Sequence, residues 1–314
     1  MQAEMKVFSG SAHPELAEAI CGKLGLPLGQ SRVDRFSNEN MLIQIEESVR
    51  EADVFVIQPS CTPVSDGILE LLMLIDALKH ASAARITAVT PYFPYVRSDK
   101  KDQPRISITA RLMADLLETA GADRVLTTDL HAPQTQGFFR VPADQLIAAP
   151  MICEYLRTHR NLEDYILVAG DAGEAKELGA YANRLNLPMA IVDKRRYGND
   201  EKPKAVNLIG DVTGKTALII DDEIASGGTM VEAANFLLER GANKVEACAV
   251  HPILSGQAPE RIEASPIESL IVTDTVPVSE EKRIDKLEIL SVAPMFAQAI
   301  EAIHSGQSVS RLFR

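Results

Sequence analysis

The stretch TALIIDDEIASGGTM, Thr216–Met230, decides the fold, because it joins a buried strand to a helix through a short polar loop. Its apolar run predicts a strand over Thr216–Ile220, and a helical repeat of apolar residues predicts a helix over Met230–Arg240. Asp221 and Asp222 are therefore expected at the carboxyl end of the strand. The turn after them is expected to present backbone N–H groups at the start of the helix.

This loop has the chemistry of a sugar-phosphate site. Gly227 and Gly228 let the backbone approach a ligand closely, and a helix N-terminus favours an anion. The two carboxylates can only accept hydrogen bonds, which suits the hydroxyl groups of a sugar. A phosphate at one end and a vicinal diol at the other predict a ribose 5-phosphate moiety. The alternative interpretation is an ordinary strand–turn–helix with solvated acids.

Short apolar runs alternate with helical patterns along the chain, which is typical of parallel sheets flanked by helices. Most runs are continuous rather than alternating, as in strands that are buried on both faces. We predict further strands at Asp53–Gln58, Arg85–Thr90, Arg124–Asp129, Tyr165–Ala169, Met189–Asp193, Lys244–Val250 and Ser269–Val272. We predict further helices at Pro14–Leu24, Gly67–Lys79, Ile108–Ala120, Glu174–Leu185 and Ala293–His304.

An internal repeat indicates two copies of one α/β domain. A Leu-rich helix end leads through Gly121 and a strand to His131, and a second leads through Gly241 and a strand to His251. Both the glycines and the histidines are 120 residues apart. A chance similarity of two Leu-rich helix ends is the alternative. The pattern predicts a domain boundary near Ala148–Pro150.

Composition restricts the functional class. The 314 residues are 46% hydrophobic and carry a formal net charge of −12, which favours two domains and argues against nucleic-acid or anionic-membrane partners. The four cysteines have no spacing typical of a zinc site. No apolar run approaches the length of a membrane helix, and Met1–Gly10 does not resemble a signal peptide. We expect a cytoplasmic protein with reduced thiols.

Other strand ends carry residues suited to phosphate or metal. His131 is a candidate ligand of a metal or phosphate, and Asp171, flanked by small residues, is a candidate ligand of magnesium or a sugar. The cations of Lys194–Arg196 would close over a polyphosphate, and the loop Arg97–Arg105 would bind a base and its phosphates. Each pattern alone is also typical of a surface segment, so the prediction depends on their joint placement.

Together these residues resemble ribose-phosphate pyrophosphokinase (phosphoribosyl pyrophosphate synthetase), over nearly the whole chain. Several of the shared motifs are specific to that family, whereas the Asp-Asp loop alone is shared with phosphoribosyltransferases. The motifs are RFSN at 35–38, IEESVR at 45–50, DLHAPQTQGFF at 129–139, DKRR at 193–196, the loop at 221–229, HPILSG at 251–256 and QSVSRLF at 307–313.

The resemblance implies an α/β fold of two tandem phosphoribosyltransferase-like domains, each a mostly parallel sheet flanked by helices. The expected bounds are 1–148 for an N-terminal domain with the nucleotide side and oligomer contacts, 149–291 for a C-terminal domain with the ribose 5-phosphate loop, and 292–314 for a C-terminal segment that packs back on the N-terminal domain. The implied enzyme uses Mg²⁺ and transfers the diphosphoryl group of ATP to the C1 hydroxyl of ribose 5-phosphate. Its products, 5-phosphoribosyl 1-diphosphate and AMP, serve nucleotide biosynthesis.

The resemblance also implies a role for each candidate residue. Lys194 and Arg196 would stabilise the transition state, in which positioning and charge neutralisation dominate. Ribose 5-phosphate would bind to Asp221, Asp222, Ser226, Gly227, Gly228 and Thr229. The nucleotide would bind to Phe36, Asn38, Asn40, Arg97, Asp99 and His131, with adenine contacts from a neighbouring subunit. Magnesium would bind to His131 and Asp171. A regulatory site for phosphate or ADP, between subunits of a hexamer or dimer, would use Ser48, Arg50, Arg105 and Ser310.

The chain departs from the usual family pattern at seven positions, five of which bear on the expected site. Asn40 replaces the acid that reads the adenine amino group, and it accepts a hydrogen bond without negative charge. Lys100 replaces a bidentate arginine, and Gly170 replaces a proline. Glu174 replaces a glycine, which adds bulk and negative charge beside a phosphosugar. Ala225 replaces an aspartate, which restricts the loop to binding because no acid remains there to act as a base.

These departures leave nucleotide choice and regulation open, and with them two alternative functions. An active pyrophosphokinase is the leading hypothesis, since the expected catalytic, metal and sugar residues are all present. A non-catalytic regulatory subunit of a phosphoribosyl pyrophosphate synthetase is the first alternative, because of Glu174, Asn40 and Lys100. A phosphoribosyltransferase is the second alternative, although the repeated domain and Lys194–Arg196 argue against it.

Overall fold

The apolar runs of the sequence form the inner strands of two sheets. The structure, a computed structural model, describes residues 3–171, 173, 175–195 and 204–313, with the backbone alone for 194–195, 204–206 and 313. The strands are β1 Met5–Ser9, β2 Ser31–Arg35, β3 Met41–Ile45, β4 Asp53–Ile57, β5 Arg85–Thr90, β6 Arg124–Thr128, β7 Ala143–Leu146, β8 Tyr165–Ala169, β9 Met189–Arg195, β10 Lys204–Ile209, β11 Thr216–Ile224, β12 Lys244–Pro252, β13 Ile267–Thr273 and β14 Leu287–Leu290. The α-helices are α1 Pro14–Leu24, α2 Val64–His80, α3 Thr109–Ala120, α4 Ala149–His159, α5 Ala175–Leu185, α6 Gly228–Glu239, α7 Ala258–Glu263 and α8 Ala293–His304. Within the described residues, no helix has the length and apolar character that a membrane span requires.

Tertiary contacts divide the chain into two units. Unit 1 contains Met1–Ile147, Thr275–Pro277 and Ser291–Arg314, and unit 2 contains Ala148–Asp274 and Val278–Leu290. Each unit is built on its own mostly parallel sheet flanked by helices, so the predicted α/β class is confirmed. The domain bounds expected from the sequence stay a prediction.

Unit 1 contains a fully parallel sheet in the order β1-β4-β5-β6-β7. All five residues of β4 are buried, as its continuous apolar run predicts. The antiparallel hairpin β2–β3 packs Ile43 and Ile45 against the same core as α2 and α3. The buried residues of this core include Val54, Val56, Ile86, Leu71, Leu74 and Leu117.

The C-terminal helix α8 belongs to unit 1, where it packs against α1. Asp53, which is 3% exposed, lies at the start of β4 and accepts a 2.8 Å hydrogen bond from Arg85 Nε. Its other carboxylate oxygen lies 2.7 Å from Nδ1 of His304, and Arg85 Nη2 donates to the carbonyl oxygen of Ile303 at 3.1 Å. These contacts fix the end of α8 to the starts of β4 and β5.

Unit 2 contains a seven-stranded sheet in the order β10-β9-β8-β11-β12-β13-β14. Only the β10–β9 pair among its described ladders is antiparallel. Alternate residues of β11 are buried against different helices. Ala217 and Ile219 pack in a core with α6 and α7, whereas Leu218 and Ile220 pack in a core with α4 and α5.

Candidate active site

The candidate site lies where the strand order of unit 2 reverses. From β8 the chain moves to β9 on one side, whereas β11 and β12 lie on the other side. Ligands of open α/β sheets bind at such a switch point, outside the carboxyl ends of the strands. Asp171 follows β8, and Asp221 and Asp222 lie near the end of the adjacent β11. The fold therefore places these three carboxylates at the switch point.

The strand that carries the paired acids is longer than predicted. β8 pairs with β11 as far as Ala169 and Ile220, but β11 continues beside β12 to Ile224. The prediction that the strand ends at Ile220 is wrong, because pairing with β12 keeps the backbone extended. Asp221 and Asp222 are both half-buried in this extension of the strand.

A glycine with positive φ turns the chain from β11 into α6. Gly227 has φ 71° and precedes Gly228, which begins the helix two residues earlier than predicted. A Cβ atom on Gly227 would lie 3.3 Å from Cγ1 of Ile262, so the backbone conformation favours glycine and the packing leaves little room for a side chain. Ser226 and Thr229 are exposed at the first turn of α6. Hydroxyl groups and N–H groups at a helix N-terminus form a binding site for phosphate.

Arg261 is a residue of this loop region that the sequence motifs did not reveal. Its guanidinium donates a hydrogen bond to the carbonyl oxygen of Ser226, 35 residues earlier in the chain. No motif marks Arg261, because the contact arises from the packing of the short helix α7 against the loop.

Asp171 offers an oxygen ligand for a cation. It is exposed after β8, and its Oδ1 accepts a 2.7 Å hydrogen bond from the backbone N–H of Gly173. The other expected magnesium ligand, His131, is exposed after β6 in unit 1. Among the described residues, no group of three or more His, Cys, Asp or Glu could hold a metal ion. An exposed carboxylate suits Mg²⁺, which is usually bound through one or two carboxylates and substrate phosphates.

Part of the expected site lies outside the described residues. Arg196 and Glu174 are not among them, and Lys194 is described by its backbone alone, within β9. The transition-state role expected of Lys194 and Arg196 stays a prediction, as does the effect of Glu174.

Five residues expected to bind the nucleotide lie on two loops of unit 1. Phe36 is 52% exposed at the turn of the β2–β3 hairpin, where Asn38 Oδ1 accepts a 3.2 Å hydrogen bond from the N–H of Asn40. The loop after β5 carries Arg97, which is exposed, and Asp99, which is half-buried. A large exposed aromatic ring in a polar turn is suited to contact a base or another subunit.

The residues expected to form the regulatory site are all exposed in unit 1. Arg105 has a φ of 67°, and Oγ of Ser310 lies 2.6 Å from Oγ of Ser308. Ser48 and Arg50 follow β3. These residues lie on three separate segments, so their joint function stays a prediction.

Two family models match parts of the chain. "N-terminal domain of ribose phosphate pyrophosphokinase" matches residues 5–121, and "Phosphoribosyl synthetase-associated domain" matches residues 194–314. The ribose-phosphate pyrophosphokinase of Caldanaerobacter subterraneus subsp. tengcongensis is 49% identical over 314 residues, which cover 98% of each sequence. That of Corynebacterium ammoniagenes is 49% identical over 313 residues, which cover 100% of this chain and 98% of the relative.

A solved structure agrees with these sequence matches. The crystal structure of phosphoribosylpyrophosphate synthetase from Mycobacterium smegmatis matches with a TM-score of 0.92 at 40% identity. The match covers 96% of this chain and 99% of that chain. It confirms the fold that the sequence motifs predicted.

Proposed function

The chain belongs to the ribose-phosphate pyrophosphokinase family. We propose that each of its two units binds a different substrate of the reaction. That reaction transfers the diphosphoryl group of ATP to the C1 hydroxyl of ribose 5-phosphate. It gives 5-phosphoribosyl 1-diphosphate and AMP. In this proposal, unit 2 binds ribose 5-phosphate, and unit 1 carries the residues that bind ATP.

One observation carries the assignment of the acceptor site. A positive-φ glycine, Gly227, directly precedes α6 and follows shortly after two carboxylates at the switch point of the sheet. The N–H groups of the first turn, with the hydroxyls of Ser226 and Thr229, bind the 5-phosphate. Asp221 and Asp222 accept hydrogen bonds from ribose hydroxyls. Holding the sugar at both ends orients its C1 hydroxyl for transfer.

The transfer step needs positive charge around the diphosphoryl group. The C1 hydroxyl oxygen forms a bond to the β-phosphorus of ATP while the bond from that phosphorus to the oxygen between the α- and β-phosphates breaks. AMP leaves with this oxygen, and the hydroxyl proton passes to solvent. Lys194 and Arg196 stabilise the charge of the transition state, since positioning and electrostatics dominate phosphoryl transfer. Asp171, His131 and the phosphates of ATP would hold Mg²⁺, which would neutralise the negative charge of the polyphosphate.

The remaining residues bind the nucleotide and the effectors. Phe36, Asn38 and Asn40 contact the adenine of ATP in a neighbouring subunit, and Arg97 and Asp99 contact the same nucleotide. The protein acts as a homo-oligomer in the cytoplasm, a hexamer or a dimer. Phosphate or ADP binds between subunits as an effector, at Ser48, Arg50, Arg105 and Ser310.

An assay with ATP, ribose 5-phosphate and Mg²⁺ tests the proposal. We expect AMP and 5-phosphoribosyl 1-diphosphate in equal amounts, and no product after chelation of Mg²⁺. If neither product forms, the catalytic proposal is wrong. Stimulation of an active relative without its own product would indicate a regulatory subunit instead. Base-dependent release of pyrophosphate from 5-phosphoribosyl 1-diphosphate would indicate a phosphoribosyltransferase.

The same assay addresses the nucleotide and the effector. Replacing ATP by GTP or CTP measures how strongly a site with Asn40 in place of an acid prefers adenine. Repeating each reaction with added phosphate or ADP measures regulation. We expect ATP to be the best donor, because the residues around Asn40 match the family motif at Phe36–Asn38.

A further inference from the structure

Three consecutive carbonyl groups of the phosphate loop are held by one later segment of unit 2. The carbonyl oxygen of Ile224 accepts a 3.0 Å hydrogen bond from the N–H of Leu254, and that of Ala225 accepts a 2.9 Å bond from the N–H of Ser255. The carbonyl oxygen of Ser226 accepts a hydrogen bond from the Arg261 side chain. The segment from Leu254 to Arg261 therefore binds the loop at the three residues that directly precede Gly227.

This arrangement matters for an anion. A backbone carbonyl directed at a phosphate repels it, whereas a backbone N–H attracts it. Bonds to the carbonyl oxygens hold them towards the protein and fix the orientation of the peptide planes that follow. Leu254 itself has φ 45°, an uncommon value for a residue with a side chain. The segment thus keeps a strained conformation at the point where it binds the loop.

Arg261 differs from the other two donors because its contact is made by a side chain. Its Nη1 lies 3.9 Å from the position that a Cβ atom would take on Gly228, so the guanidinium stands beside the first turn of α6. The next residue, Ile262, packs against Gly227. Together the two side chains of α7 fix the carbonyl of Ser226 and the backbone of Gly227.

We propose that Arg261 is a positioning residue of the acceptor site, which orients the Ser226 peptide and thereby sets the affinity for the phosphate end of ribose 5-phosphate. This inference rests on the proposed function of the 226–229 loop. Arg261 acts on the phosphate through the loop, and its charge beside α6 favours the same anion.

Lys286 provides a matched control. Its Nζ donates to the carbonyl oxygens of Glu263 at 2.6 Å, Ser265 at 2.8 Å and Ile262 at 3.4 Å, at the C-terminal end of α7. Removing this ammonium group loosens the same helix but leaves the contact between Arg261 and Ser226 in place. If α7 had only a structural role, removing either cation would lower the affinity for ribose 5-phosphate by the same amount.

The test compares Arg261→Met, Arg261→Lys and Lys286→Met with the unaltered protein, in steady-state kinetics and in calorimetric titration with ribose 5-phosphate. We expect Arg261→Met to raise the Kd and KM for ribose 5-phosphate about tenfold, because a charge-assisted hydrogen bond is lost. The KM for ATP should stay unchanged, and kcat at saturating ribose 5-phosphate should change less than KM. Arg261→Lys should restore part of the affinity, and Lys286→Met should match the unaltered protein.

Two results would overturn the proposal. One is an unchanged Kd in Arg261→Met, and the other is an equal loss of affinity in Lys286→Met. If the unaltered protein itself fails to bind ribose 5-phosphate, the proposed function of the loop fails, and this inference fails with it. Circular dichroism melting of each variant shows whether unfolding accounts for a loss.

Discussion

The two ends of the strands in the seven-stranded sheet use charged groups for different purposes. We call them the amino edge and the carboxyl edge. At the amino ends of the strands, Nε of Arg160 lies 3.2 Å from Oε2 of Glu246, and the same guanidinium also binds Glu288. Tyr165 donates to the other oxygen of Glu246 at 3.0 Å, and Ser269 donates to Glu288. These carboxylates are bound by side chains of the protein itself.

The ionisation of this network follows from its burial and its partners. Burial first, and then the carboxylate of Glu246, raise the pKa of Tyr165, which keeps its hydroxyl as a donor. Burial alone would raise the pKa of Glu288, but hydrogen bonds from Ser269, Tyr155 and Arg160 outweigh it. The pKa of Glu288 is therefore lower than its usual value. The amino edge is a structural ion network.

The carboxyl edge of the same sheet presents polar groups to solvent. Ser226, Thr229 and Asp171 are exposed there, and the carbonyls before Gly227 are bound from the protein side. If the proposed site binds ribose 5-phosphate, stability and ligand binding are separated along the strands of unit 2. Substitutions at the amino edge should change unfolding, whereas those at the carboxyl edge should change binding.

The largest effect is expected from the paired acids. Changing both Asp221→Asn and Asp222→Asn should lower kcat/KM about a thousandfold, because two charge-assisted hydrogen bonds to the sugar are lost. The melting temperature should change little, since both side chains are only half-buried. Steady-state kinetics with varied ribose 5-phosphate and thermal melting measure the two quantities.

Asp211→Asn is the control for this pair. Asp211 is exposed in unit 2 and accepts a 2.9 Å hydrogen bond from the N–H of Thr213, away from the carboxyl edge of β11. Its substitution should leave kcat/KM unchanged. A large loss of stability in the paired variant with little kinetic effect would contradict the separation of the two edges.

An intermediate effect is expected from Gly227→Val, with Gly214→Val as its control. Both glycines have φ 71°, so both substitutions carry the same backbone penalty of about 1–2 kcal/mol. A Cβ atom at Gly227 would also meet Ile262 at 3.3 Å, whereas a Cβ atom at Gly214 would meet no atom within 4 Å beyond its chain neighbours. We expect both to lower the melting temperature, but only Gly227→Val to raise the KM for ribose 5-phosphate, about tenfold. Equal KM values in the two variants would show that the loop geometry is not needed for binding.

The sequence predicted the inner strands of the fold better than its edges. Arg85–Thr90 and Tyr165–Ala169 have the predicted bounds, because a continuous apolar run is buried from both faces. The edge strand β7, with the sequence ADQL, has no such run and exists through pairing with β6. Helix α4 was missed, although Ile152 and Leu156 are buried at a helical spacing that was present in the sequence.

In the candidate site, too, local features could be predicted from the sequence and tertiary contacts could not. The glycine turn before α6 depends on local residues, so Gly227 and Gly228 could be identified from the sequence alone. The extension of β11 through Asp221 and Asp222 depends on β12, and no local pattern indicates it. Arg261 reaches the loop from 35 residues away, so its contact follows only from the tertiary packing of α7.

The smallest effect is expected from Glu288→Gln, which tests the amino edge through the pH dependence of the free energy of unfolding. The pKa of Glu288 is lowered from 4.5, so its charge stabilises the folded state above that pH, and this stabilisation is lost as the pH falls through the folded pKa. We expect the substitution to lower the free energy of unfolding by about 1 kcal/mol at neutral pH, which lowers Tm by a few degrees. The difference should shrink as the pH falls through the folded pKa.

Glu268→Gln is the control, because Glu268 and its partner Lys244 are both about half exposed and 2.9 Å apart, so the pair should contribute little. Thermal melting of the three proteins between neutral and acidic pH makes the comparison. If Glu288→Gln still lowers the melting temperature at low pH, the effect comes from the geometry of the hydrogen bonds rather than from the charge of Glu288. Unchanged kinetics for ribose 5-phosphate in the same variant would place the amino edge outside ligand binding, since the network lies at the opposite end of the strands from Asp221.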